Sequence, residues 1–108
     1  MEIHVPAGYL RHVVLFKFKA ETTQAQITEI EDGFRAMCEK IEAVHGFEWG
    51  RDVSVEQRNQ GFSHCFIVTF ADEAGRDAYL PHPEHRAFVE QLKLVVEDIL
   101  VLDYWAST

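Results

Sequence analysis

The chain predicts an α+β domain whose elements run β-α-β-β-α-α-β around a four-stranded antiparallel sheet, the ferredoxin-like arrangement. Three observations carry that reading. Four segments alternate with the two-residue period of strands, and three carry helical spacing or helix boundaries. At 108 residues the chain is one domain, long enough to bury a core without disulfides or a structural metal. Finally, two of the strands are apolar on both faces.

"RHVVLFKFK" (11–19) is β-branched and aromatic, a strand signal. His12, Val14, Phe16 and Phe18 share one face; Val13, Leu15, Lys17 and Lys19 share the other. Residues 23–44 read as the clearest helix, with Thr23 and Gln26 as a capping box. Ile27, Ile30, Phe34, Met37, Cys38 and Ile41 form its apolar stripe, and Gly46 stands where a C-terminal cap is expected. Glu29, Asp32, Glu39 and Lys40 make its solvated face. A short strand follows over 47–55, then a polar turn, then the strongest strand, "FSHCFIVTF" (62–70). "ADEAGRDAYL" reads as a short helix stopped by Pro81, because the residue before a proline avoids the helical region. A further helix starts at "PHPEH" and runs to about residue 97, and "DILVLDYW" (98–105) closes as a strand.

In the third strand His64, Phe66, Val68 and Phe70 share a face, with Cys65, Ile67 and Thr69 behind them. In the last strand Ile99 and Val101 oppose Leu100 and Leu102. A sheet with helices on one side and water on the other should alternate apolar with polar residues, and these strands do not. The three helices cover one face, so a second copy of the same sheet is the simplest cover for the other. The expected assembly is a sheet-on-sheet homodimer.

A formal net charge of −8 and ten scattered Lys and Arg argue against nucleic acid or an anionic membrane as partner. No apolar run approaches the roughly 20 residues of a membrane span. Cys38 and Cys65 form no close-spaced motif and read as small buried hydrophobes in a reducing compartment, with one disulfide as the alternative. The first ten residues lack the features of a signal peptide, and the expectation is a cytoplasmic protein.

The chemistry gathers around histidines. His12 and His64 each stand ahead of a row of bulky apolar residues, which places both at one end of the core beneath the helices. Each is either a hydrogen-bonded core-edge histidine or part of a site. In "AYLPHPEHRAF" His82 suits the N-cap, Pro83 the first helical position and Glu84 the positive end of the helix dipole. His85, in the first turn, should be held neutral by that dipole and so able to accept a proton. Tyr79, just before the break, could donate to a carbonyl oxygen that gains charge as a neighbouring carbon loses a proton. Zinc is not predicted, since the histidines are loosely spaced and neither cysteine lies on a histidine face; no cofactor is predicted either. Ser63 is expected on the face opposite His64, which disfavours a nucleophilic pair.

The ordered blocks "RHVVLFKFK", "FEWGRDVS", "GFSHCFIVTF", "AYLPHPEHRAF" and "ILVLDYW" resemble the stress-responsive dimeric α/β-barrel (Dabb) domain family. The resemblance spans residues 11–105, leaving 1–10 as an extension and 106–108 as a tail. It implies a homodimer whose sheets pair into a barrel, and a stress-responsive protein that is non-enzymatic or ligand-binding. It also implies an alternative, because the family includes a polyketide cyclase of the aldol type. By that resemblance His85 is the general base and Tyr79 the hydrogen-bond donor. His12, His64 and His82, with Val14, Phe16, Phe34 and Phe66, line a pocket for a small apolar or polyketide-like ligand. Glu31 departs from the pattern, since it falls near a pocket position that is apolar in the cyclase.

Overall fold

The computed structural model describes residues 8–107. Most of the expected N-terminal extension therefore lies outside the described residues, and Leu10 already opens the first strand. The elements are β1 (Leu10–Phe18), α1 (Gln24–Lys40), β2 (Val44–Arg51), β3 (His64–Phe70), α2 (Glu73–Tyr79), α3 (Pro83–Leu92) and β4 (Val96–Trp105). The strands form one antiparallel sheet in the order β2-β3-β1-β4. This is the ferredoxin-like fold: β3 lies between β1 and β2, and β1 lies between β3 and β4.

The period-2 faces are as expected. Leu10, His12, Val14 and Phe16 of β1 and His64, Phe66, Val68 and Phe70 of β3 are buried beneath the helices, while their alternates are half-buried. Above them α1 contributes Ile30, Phe34, Met37 and Cys38, and α3 contributes Phe88 and Leu92. The centre of the core is an aromatic stack: Phe34 lies on Phe66 at 4.5 Å and 9°, with Phe16 and Phe88 against them. β4, an edge strand, is the least covered of the four. Ile99 and Val101 on the helix side and Leu100 and Leu102 on the other are all exposed.

Thr23 caps α1 as the capping box requires: its side chain accepts from Gln26 N, and Gln26 Oε1 accepts from Thr23 N at 2.8 Å. The helix ends at Lys40, four residues before the expected limit, because Ile41 turns extended and buries its side chain in the core. Gly46 is no cap. It sits in β2 at the bulge between Val44 and Gly46, where a Cβ would come within 3.3 Å of Thr69. β2 accordingly starts earlier than expected and stops at Arg51. The chain from Asp52 then loops back, Asp52 accepting from Ser54 N and Asn59 Nδ2. α3 stops at Leu92 rather than near residue 97, and Lys93, Leu94 and Val95 close a turn into β4.

Candidate functional site

Pro81 and Pro83 break the chain between α2 and α3, and the break builds one polar corner. His82 caps α3 with its ring: Nδ1 accepts from Glu84 N at 3.1 Å. His85, in the first turn, reaches back to the end of α2, where its Nδ1–H donates to the Leu80 carbonyl at 2.8 Å. Carbonyls at a helix end lack partners within the helix, so this bond satisfies one of them. A carbonyl can only accept, so the proton is on Nδ1 and Nε2 carries a lone pair. Burial holds the His85 pKa below its ordinary value. The bond to Leu80 opposes that shift, and His12 and His82 add to it.

Tyr79 stands between two imidazoles, its ring 4.5 Å from His85 and 5.8 Å from His12. It is nearly fully buried, and burial raises its hydroxyl pKa far above the usual range, so it stays a donor. Among the described residues its hydroxyl has no hydrogen-bond partner within the protein. His12 donates from Nδ1 to Asp103 Oδ1 at 2.7 Å, and Arg76 approaches the other oxygen at 3.4 Å. In the neutral ring that donation leaves the His12 Nε2 as an acceptor. The strand register places Asp103 directly opposite His12. Asp103 and Arg76 escaped the sequence reading, although a lone Asp in step with Ile99 and Val101 was the available signal. Cys38 lies near this corner, but burial pushes its thiol up to about 12, which leaves it unreactive.

His64 is elsewhere, which corrects the expectation that it shares one end of the core with His12. β1 and β3 run antiparallel, so His12 faces Val68 while His64 faces Phe16. Four residues of strand separate the two, about 13 Å. Between them Val14, Phe16, Phe34 and Phe66 pack against one another as core. Of the nine expected site residues, the structure gathers His12, Tyr79, His82 and His85.

At the other end His64 Nε2 donates to Glu31 Oε2 at 2.8 Å, and both side chains are about 5% exposed. Arg51, directly across from His64 in the β2–β3 register, holds the same carboxylate through Nε at 2.8 Å and Nη2 at 2.9 Å. Ser63 Oγ lies 2.8 Å from His64 Nδ1. The expectation that Ser63 faces away fails because Ser63 precedes β3, outside its two-residue alternation. A groove of about 750 Å³ runs beside this cluster. Its floor is Leu15, Ile67 and Leu100 on the sheet face away from the helices, and Arg51, Arg58 and Ser63 stand along its edge.

Residues 10–106 match the model of the family described as the stress responsive A/B barrel domain. The chain is 34% identical over 97 residues to the stress-response A/B barrel domain-containing protein HS1 of Arabidopsis thaliana, covering 90% of this chain and 89% of that one. It is 30% identical over 95 residues to the olivetolic acid cyclase of Cannabis sativa, covering 88% and 94%. Among solved structures, the hydroxynitrile lyase of Passiflora edulis superposes with a TM-score of 0.86 at 27% identity, covering 94% and 96%. A dimeric ferredoxin-like protein of unknown function from Jannaschia sp. CCS1 gives 0.77 at 27% identity, covering 90% and 98%.

Proposed function

The chain belongs to the stress responsive A/B barrel domain family, and on that footing we propose that it acts as a homodimer binding a small molecule at the Tyr79–His85–His12 corner. One observation carries the binding reading: the nearly buried Tyr79 ring packs against the imidazoles of His85 and His12, each bound to the protein through Nδ1, and the Tyr79 hydroxyl has no hydrogen-bond partner among the described residues. A hydroxyl donor and imidazole nitrogens in one part-buried corner suit a carbonyl or hydroxyl compound with an apolar remainder. The dimer rests on the bare apolar face of Leu15, Ile67, Leu100 and Leu102 and on β4. That strand is an edge strand left exposed on both faces, a hazard unless a partner covers it. The Jannaschia protein of the same fold is dimeric by its own description. Native mass spectrometry of the freshly purified protein tests both parts. A dimer carrying an added small-molecule mass, lost in His85→Ala, is expected. A dimer that binds no carbonyl compound when challenged overturns the binding reading, and a monomer overturns the assembly.

A second reading, a proton-transfer enzyme related to the aldol-type cyclases, is favoured by the fixed tautomer of His85. Its Nε2 is a neutral base at pH 7, and in this reading the Tyr79 hydroxyl donates to the oxygen that gains charge when a carbon acid is deprotonated. Deuterium exchange into a β-dicarbonyl compound, followed by NMR, reads that step directly. His85→Ala should slow the exchange by roughly 10²–10⁴-fold, and equal rates in the two proteins exclude the base role.

A further inference from the structure

A buried carboxylate on the inward face of α1 needs a reason, because an apolar residue there packs at least as well. Glu31 sits in line with Phe34 and Cys38, yet it carries a carboxyl group and is 4% exposed. Arg51 holds it as the ion with two N–H donors. A carboxylate only accepts, so His64 must carry its proton on Nε2, the nitrogen facing Glu31. In the neutral imidazole His64 Nδ1 is then the lone-pair nitrogen, and Ser63 Oγ lies 2.8 Å from it. Aromatic rings pack beside the imidazole: Trp49 lies parallel to it at 6.1 Å and 7°, and Phe18 meets it edge-on at 5.0 Å.

This is the working order of an acid–histidine–serine relay, with the two ring nitrogens exchanged relative to the familiar hydrolases. We infer that Ser63, His64 and Glu31 form a second site, independent of the His85 corner, that transfers the acyl group of a small uncharged carboxylic ester to Ser63 and then to water. Ser63 Oγ bonds the ester carbonyl carbon as its proton passes to His64 Nδ1. The C–O bond to the alcohol breaks, and the alcohol leaves with that proton. Water then adds to the acyl-serine and gives its proton to Nδ1. Ser63 departs with it, and the carboxylic acid is released. Glu31 steadies the imidazolium in both halves. Arg51, half exposed and with three N–H donors beyond the two that hold Glu31, supplies positive charge for the oxyanion.

The chemistry of the groove sets the class of ester. Arg51 and Arg58 at its edge stand among Glu48, Asp52 and Glu56, so a net charge on the substrate gains little. Its floor belongs to the face proposed above to meet a second copy, so the space left beside Ser63 favours a small acyl group.

The test is p-nitrophenyl acetate with the full-length protein, read by p-nitrophenolate release and by mass spectrometry of the tryptic peptides. A burst and an acetylated Ser63 peptide are expected in the folded protein, both absent in Ser63→Ala and in the heat-unfolded chain. Glu31→Gln, which keeps the side-chain shape and removes the charge, should slow acylation by roughly 10²-fold or more. If Glu31→Gln does not fold, Ser63→Ala decides alone, since Ser63 is only half-buried and lies just before a strand. An unlabelled Ser63 peptide overturns the inference, as does labelling that persists after unfolding. So does a folded Glu31→Gln that acylates at the parent rate.

Discussion

The homodimer makes the most quantitative prediction. Leu100 and Leu102 are 51% and 61% exposed on the face of β4 away from the helices, across from Leu15 and Val13 of β1. Burying a whole leucine side chain contributes about 1.5–3 kcal/mol, so covering what these two leave exposed contributes roughly 1–1.5 kcal/mol each. A two-fold interface counts every position twice. The double variant Leu100→Ala/Leu102→Ala should therefore weaken the dimer by roughly 4–6 kcal/mol, or about three to four decades in Kd. Sedimentation equilibrium across a concentration series measures this directly. The monomer should keep its fold, with a circular dichroism spectrum like the parent's, because neither side chain touches the core beneath the helices. An unchanged Kd in the double variant, or a parent protein that is monomeric at micromolar concentration, refutes the reasoning.

Three more perturbations address the two polar ends. Glu31→Ala strips the buried His64 of its acceptor and frees Arg51, and should cost about 3–5 kcal/mol in urea unfolding; a loss under about 1 kcal/mol shows that the carboxylate is dispensable to the fold. Tyr79→Phe keeps the ring between His12 and His85 and removes only the hydroxyl, so ligand affinity should fall while the thermal midpoint barely moves; unchanged affinity assigns the hydroxyl no part in binding. The pH dependence follows from His85, whose folded pKa lies below its unfolded value of about 6.5. The unfolded chain takes up that proton first, so the contribution to stability is present above about pH 6.5 and is lost as pH falls through the folded pKa. Melting curves down that range should decline, and His85→Gln should flatten the decline; parallel profiles exclude His85 as its source.

The faces of the elements were legible in the sequence, and positions along them were not. Side-chain alternation put His12 in step with Val14 and Phe16, and His64 in step with Phe66 and Val68, as the structure has them. Local chemistry also fixed the capping box of Thr23 and Gln26 and the proline break between α2 and α3. Alternation says nothing about which end of a neighbouring strand a residue meets. That depends on the antiparallel register of β1 with β3, which sends His12 and His64 to opposite ends. The same gap hid Asp103, which becomes a partner of His12 only once β4 pairs with β1. Boundaries failed for a related reason: Ile41 continues the helical stripe, but the pairing of Val44 with Phe70 draws the chain extended before that stripe runs out. Ser63 was misjudged because strand alternation was carried one residue past the strand.

The separation of the two ends has an energetic consequence. The corner at His12, Tyr79 and His85 and the cluster at Glu31, His64 and Ser63 share no hydrogen bond, and the strand positions that anchor them are about 13 Å apart. What lies between is the stack of Phe16, Phe34 and Phe66, held in contact with almost no exposure. Substitutions more than about 7–10 Å apart without shared partners add to within roughly 0.5 kcal/mol. The double variant Glu31→Gln/His85→Gln should therefore lose the sum of the two single losses within that margin, by urea denaturation at constant pH. A tightly packed aromatic layer could instead carry a shift from one end to the other, and a coupling above about 1 kcal/mol is the result that would reveal it. With additivity, each end of the core can change its chemistry without disturbing the other, as two separate sites on one small domain require.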